Sequence, residues 1–100
     1  MIVQFTKKPT GDIVSAITKT MEGRSLGDLV SIHEAGNGLL VKISKLGTST
    51  LEFERKDDGE FAVFTLTTEK IAFAHKAFKS EVTAKLVHVI EKSGGKVIKA

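Results

Sequence analysis

The sequence predicts an α+β fold: an antiparallel four- to five-stranded meander with an N-terminal helix and a longer C-terminal helix packed on it. Two observations support this prediction. Alternating apolar and polar residues, typical of half-buried strands, recur between turn signals in the middle of the chain. Apolar residues at helical spacing lie near both ends. The expected order is β-α-β-β-β-β-α, with a possible closing strand at Lys96–Lys99. The 100 residues form a single compact domain, residues 1–100, because two hydrophobic cores would not fit.

The composition is that of a globular protein and excludes several classes of function. The chain is 41% hydrophobic and 27% charged, and it contains no cysteine. A disulfide scaffold, a thiolate zinc site, an iron–sulfur cluster and a thiol nucleophile are therefore excluded. The lack of cysteine fits a reducing compartment, and no segment approaches the roughly 20 apolar residues of a membrane span. We therefore expect a soluble, cytoplasmic protein that does not contact a membrane.

The first two elements are a strand and a helix. The β-prone segment Met1–Thr6 is the first strand, and Pro9-Thr10-Gly11 ends it. Asp12 is placed as the N-cap of a helix over residues 13–22, and Gly23 as the glycine that follows it. The buried stripe of this helix is expected to be Ile13, Val14, Ile17 and Met21.

Residues 25–35 are compatible with two structures. Ser25-Leu26-Gly27-Asp28 has the spacing of a capping box, which indicates a helix. In the other interpretation, Val30 and Ile32 form the inner face of a strand that turns through Gly36-Asn37-Gly38. The Asn-Gly pair tolerates the positive φ angles of a tight hairpin, so the hairpin is favoured.

Three further strands are predicted between residues 39 and 67. Leu39–Lys45 and Leu51–Glu54 alternate between apolar and polar residues, and Lys56–Glu60 has the composition of a hairpin turn. Phe61–Thr67 is apolar on both faces. This pattern predicts a central strand that is covered on each side.

From Glu69 to Ser93 the apolar period becomes helical. The helix is expected to be capped by the threonine at 67 or 68 and to end at Gly94-Gly95. The hydroxyl of Ser80 competes for backbone groups, so a bend is expected near that residue. The core stripe of this helix is expected to be Ile71, Ala74, Phe78, Val82, Leu86 and Val89.

The opposite side of the same helix is also apolar, which is unusual for a surface helix. Exposed apolar patches commonly mark contacts with other molecules, unless a second layer or a bend removes the patch. The sequence therefore favours a non-enzymatic protein-interaction or self-associating module, whose partner is another protein or a second copy. The predicted partner-binding face consists of Phe73, Ala77, Ala84 and Val87.

The alternative function is the binding of a polyanion such as a nucleic acid. The net charge of +3 is uneven, because residues 70–100 contain seven lysines and two glutamates. These lysines flank the apolar stripe on both sides, as on an ordinary amphipathic helix, and no arginine accompanies them. Nucleic acid is therefore the second choice. The predicted polyanion-binding residues are Lys76, Lys79, Lys85, Lys92, Lys96 and Lys99.

The remaining motifs predict no chemistry. The segment Gly59–Phe64 faintly resembles the ribonucleoprotein motif of RNA-recognition domains, but the residue that shares a strand face with Phe61 is Val63 rather than an aromatic, so core packing explains the segment better. The three histidines lack the spacing of a metal site, so we expect neither metal nor cofactor. Glu52 and Glu54 share a strand face without a nucleophile and base beside them, so no catalytic residue is expected. A ligand cavity between sheet and helix is a third possibility that sequence cannot show.

Overall fold

The fold is built on one antiparallel sheet. The computed structural model describes residues 1–22, 30–44 and 47–99, apart from the side chains of residues 74 and 77–79. In these ranges the sheet has six strands in the order β2-β3-β4-β5-β1-β6. The strands are β1 (Ile2–Thr6), β2 (Val30–Ala35), β3 (Gly38–Ser44), β4 (Thr48–Asp58), β5 (Phe61–Lys70) and β6 (Lys96–Lys99).

The predicted fold class is confirmed. Strands β2 to β5 form a meander of consecutive antiparallel neighbours. The possible closing strand is present as β6, which pairs antiparallel with β1 and brings the sheet to six strands. The helices are α1 (Thr10–Met21) and α2 (Lys79–Lys92), and a 3-10 helix (Phe73–Phe78) leads directly into α2.

The core lies between one face of the sheet and the two α-helices. Inward-facing residues alternate along each strand, as the pleat requires. Phe64 is fully buried and packs edge-on against Phe5, with ring centroids 6.1 Å apart. The helices contribute one stripe each. The helical core residues are Ile13, Ile17, Met21, Leu86, Val89 and Ile90.

The opposite face of the sheet has no covering layer among the described residues. Strand β5 is central, between β4 and β1, as expected. Its two faces differ, however, because Ala62 and Phe64 are fully buried whereas Phe61 is 40% exposed and Val63 is half-buried. The prediction that this strand is covered on each side is therefore wrong. Both helices pack on the Phe64 side, so the other face stays accessible.

Helix α1 begins at Thr10, three residues earlier than expected. Its N-cap is Pro9, whose carbonyl accepts hydrogen bonds from the N–H groups of Asp12 (3.0 Å) and Ile13 (3.3 Å). Asp12 therefore lies in the first turn, and its assignment as the N-cap is wrong. The fixed φ of proline already suits a helix start, so no side-chain cap is needed. Gly23, the expected end, lies outside the described residues.

The hairpin interpretation of residues 25–35 is confirmed for the part that the structure describes. Val30–Ala35 is a strand paired with β3, and Gly36 in the turn has a φ of 58°. The capping-box segment, residues 25–28, lies outside the described residues. The next turn is tighter than expected, because β4 continues to Asp58 and Gly59 takes the positive φ of 59°.

The C-terminal helix is shorter than its apolar period suggests. Glu69 and Lys70 belong to β5, where they pair with Leu51 and Thr50. The expected helix start at Glu69 and the threonine cap at 67 or 68 are therefore wrong. Pairing along the long strand β4 satisfies these backbone groups instead. The α-helix starts only at Lys79, so the irregularity expected near Ser80 coincides with the change from 3-10 to α geometry.

The end of α2 is where the sequence places it. Gly94 has a φ of 100°, a left-handed conformation that favours glycine. Its N–H donates to the Glu91 carbonyl (3.3 Å), and the Gly95 N–H donates to the Ile90 carbonyl (2.9 Å). This pair of bonds is a Schellman motif, which stops the helix and turns the chain into β6.

Candidate functional site

Phe73 is the most exposed large apolar side chain among the described residues. It is 89% exposed at the start of the 3-10 helix. The ammonium group of Lys76, one turn later, lies 5.9 Å from the centre of its ring. A cation over the ring face adds attraction to any contact that covers the ring. Phe73 is therefore available for binding another molecule.

The four residues of the predicted partner-binding face do not share one helix. Phe73 and Ala77 lie on the 3-10 helix, whereas Ala84 and Val87 lie on α2. Ala84 is exposed and Val87 is half-buried. The side chain of Ala77 is outside the described part. The continuous apolar stripe expected from an ideal helix is therefore interrupted at residue 79, and Phe73 is its main exposed member.

The six lysines of the alternative site are distributed over three elements. Lys76 lies on the 3-10 helix beside Phe73, and Lys85 forms an ion pair with Glu81 on α2 (3.3 Å). The side chain of Lys79 is not described. The other three lie near the junction of α2 and β6 and are exposed: Lys92, Lys96 and Lys99. These three lysines are close in the chain, and no acidic residue lies between them.

Strand β5 lacks the pair of aromatic side chains on one face that the stacking of RNA bases requires. Phe61 and Val63 share the uncovered face of the sheet, since they pair with Thr6 and Gln4 of β1. Phe64 points into the core on the other face. A single half-exposed phenylalanine does not make the platform of paired aromatics that bases stack on.

The acidic and histidine residues form no metal site in the described ranges, where no group of three potential ligands comes together. Glu52 and Glu54 are exposed on β4. The ring of His33 is hydrogen-bonded to Ser31 on the same strand, at 3.0 Å. No helix in the described part is long and apolar enough to cross a membrane.

A buried serine was missed by the sequence reasoning. Ser49 on β4 is completely buried. Its Oγ accepts a hydrogen bond from the Ala72 N–H (2.8 Å) and is also hydrogen-bonded to Nδ1 of His75 (2.5 Å). The sequence does contain a signal, because Ser49 shares the inward face of β4 with Leu51 and Phe53. A polar residue in an inward apolar series needs buried hydrogen-bond partners.

This serine–histidine pair links two segments of the chain. A histidine beside a serine is the arrangement that activates a nucleophile in hydrolases. Here the Oγ of Ser49 has no exposure to solvent and already accepts a backbone N–H. The two bonds connect the start of β4 to the segment that leads into the 3-10 helix. Ser49 thereby holds the base of the segment that displays Phe73.

The comparisons with known proteins are negative. No family model, no curated protein and no solved structure matches this chain.

Removing the hydroxyl of Ser49 tests its positioning role. We expect Ser49→Ala to lower the free energy of unfolding by about 1–3 kcal/mol, because the buried Ala72 N–H loses its acceptor. Urea denaturation followed by circular dichroism measures the change. The matched control is Ser44→Ala, at an exposed position on β3, where a change below about 0.5 kcal/mol is expected. Equal losses in the two variants would contradict the role.

Proposed function

We propose that this protein is a non-enzymatic protein-interaction module that binds its partner through Phe73. The observation that carries the proposal is the 89% exposure of this phenylalanine. Burying a phenylalanine side chain in an interface gains about 1.5–3 kcal/mol. Aromatic residues that insert into a partner pocket commonly dominate binding energy. Ala84 and Val87 on α2, with Ala77, are the proposed extension of the contact.

The charges around Phe73 indicate the chemistry of the partner. Lys70, Lys76 and Lys79 lie within seven positions of Phe73, and no Asp or Glu occurs from residue 70 to residue 80. A symmetric contact with a second copy would place these lysines against their own counterparts, which costs free energy. We therefore favour a different protein, with an apolar pocket surrounded by acidic residues. The proposed setting is the cytoplasm, which the cysteine-free composition supports, and no cofactor is required.

Photo-crosslinking from position 73 tests the proposal inside cells. Phe73 is replaced by the photoreactive p-benzoylphenylalanine, and the adduct formed on irradiation is identified by mass spectrometry. We expect one discrete adduct with a different protein. The control places the same residue at Phe61, which is 40% exposed on the sheet. The absence of an adduct, or the same adduct from both positions, would contradict docking through Phe73.

The affinity for the captured partner then gives a quantitative test. Phe73→Ala is expected to weaken binding by about thirtyfold or more, the effect of an interface residue worth at least about 2 kcal/mol. Isothermal titration calorimetry measures this loss. The affinity of the native protein should change only modestly with salt, because the contact is mainly apolar. A steep loss between low and moderate salt, with no effect of Phe73→Ala, would instead support the polyanion alternative at Lys92, Lys96 and Lys99.

A further inference from the structure

A cavity of about 60 Å³ lies between the sheet and the C-terminal helical segment. Strands β3, β4 and β5 form one wall, and α2 with the residues before the 3-10 helix forms the other. The aliphatic part of the lining consists mainly of Ile43, Leu51, Leu66, Ile71, Val82 and Leu86. Glu69 is exposed, and Thr83 and His75 are half-buried, so solvent reaches the cavity on their side.

The buried polar side chain in the wall, Ser49, is engaged within the protein. Ser49 Oγ bonds both Ala72 N–H and Nδ1 of His75, as described above. Among the described residues, every buried side-chain nitrogen or oxygen has a hydrogen-bond partner. An ordered water needs two to four polar partners, whereas the buried polar side chain of this wall, Ser49, is already engaged. The lining therefore suits an apolar occupant, which would supply the dispersion contacts that such a wall lacks.

The size of the cavity limits the shape of the occupant. Its volume of about 60 Å³ is less than half of the ~150 Å³ of an apolar cavity that binds benzene. An aromatic ring is thus too large, whereas a narrow unbranched chain can enter and continue toward the Glu69 side. We propose that this cavity binds the end of a linear aliphatic chain. This site is separate from the Phe73 surface, so either proposal can fail without the other.

Binding of small probes to the intact protein tests this site by NMR. Xenon and 1-butanol are expected to shift the methyl resonances of Ile43, Leu51 and Leu66. The methyls of Ile13 and Ile17, which lie in the core but not in the cavity lining, should not move. The branched isomer tert-butanol should bind roughly tenfold more weakly or worse, since misfit of one methylene group already costs about that factor.

Two variants separate filling of the cavity from a general effect of a larger side chain. Val82→Phe places a ring into the cavity and is expected to abolish the xenon and 1-butanol shifts. Val14→Phe makes the same change at a half-buried position on α1, outside the lining, and it should leave xenon and 1-butanol binding intact. Thermal unfolding checks that both variants fold. If Val82→Phe does not fold, Val82→Ile should still weaken xenon binding several-fold, since the added methyl reduces the volume.

The length of the chain distinguishes a small free molecule from the tail of a larger one. Tighter binding of octanoate than of 1-butanol would identify the end of a fatty chain as the occupant, and the reverse order would identify a small free molecule. Both outcomes support an aliphatic chain site. Shifts of equal size in lining and non-lining methyls, or binding that survives Val82→Phe, would overturn the proposal.

Discussion

Gly38→Ala is expected to destabilise the protein by about 3 kcal/mol or more. Overpacking among side chains typically costs about 1–3 kcal/mol, and a clash with a paired backbone is harder to relieve. A Cβ built at Gly38 would lie 1.8 Å from the backbone oxygen of Phe53. Neither partner can move away easily, because both belong to the paired strands β3 and β4. The alanine must therefore separate the two strands where β3 begins. For a domain with a stability of about 5–15 kcal/mol, this is a large fraction of the total.

The control is the same substitution at Gly11. This glycine lies in the first turn of α1, and a Cβ there would meet only the flexible carboxylate of Glu34, at 3.2 Å. Alanine is the better helix former by up to about 1 kcal/mol, so Gly11→Ala is expected to be neutral or slightly stabilising. Chemical denaturation of both variants measures the difference. Equal stability of the two variants would show that the backbones of β3 and β4 do not approach so closely.

Phe64→Ala is expected to lower the free energy of unfolding by about 3–5 kcal/mol. Phe64 is fully buried, packs edge-on against Phe5 and lies 5.8 Å from the guanidinium of Arg55. Truncation removes all of these contacts and leaves a cavity at the centre of the core. Thermal and urea unfolding should both show the loss, and the variant is expected to be only marginally folded.

The matched control for this change is Phe73→Ala. The side chain of Phe73 is 89% exposed, so its loss is expected to change stability by less than about 0.5 kcal/mol. The two phenylalanines therefore separate a role in folding from a role in binding. A large destabilisation by Phe73→Ala would mean that this ring is covered in solution, and the proposed interaction surface would lose its main support.

The strands were predictable because their signals are local. Alternation from Leu39 to Phe53 and the glycine-containing turns at Gly36 and Gly59 were enough to identify the meander. The boundary of the last helix was not predictable from the same signals. Apolar residues continue at helical spacing from Ile71 onward, while pairing of Glu69 with Leu51, about 18 positions earlier on the neighbouring strand β4, extends β5 beyond the predicted helix start. Such pairing is long-range and leaves no periodic mark.

The candidate sites depended on side-chain placement, which sequence periodicity determines only partly. The partner-binding face assumed an ideal helix through Ala77 and Ala84, and the 3-10 geometry before Lys79 breaks that assumption. Ser49 was missed because its partners, Ala72 and His75, lie more than 20 positions away. The sequence pattern predicts a turn at Gly38, whereas in the structure this glycine lets the backbones of β3 and β4 approach closely.

The position of β1 in the sheet has a consequence for the order of folding. Strands β2 to β5 can pair with neighbours that are close in the chain, so the meander can form early. Strand β1 lies between β5 and β6, and its partners are about 60 and 95 positions away. Closing such long loops costs entropy before any contact compensates for it. Strand β1 is therefore expected to be among the last strands of this sheet to reach its native position.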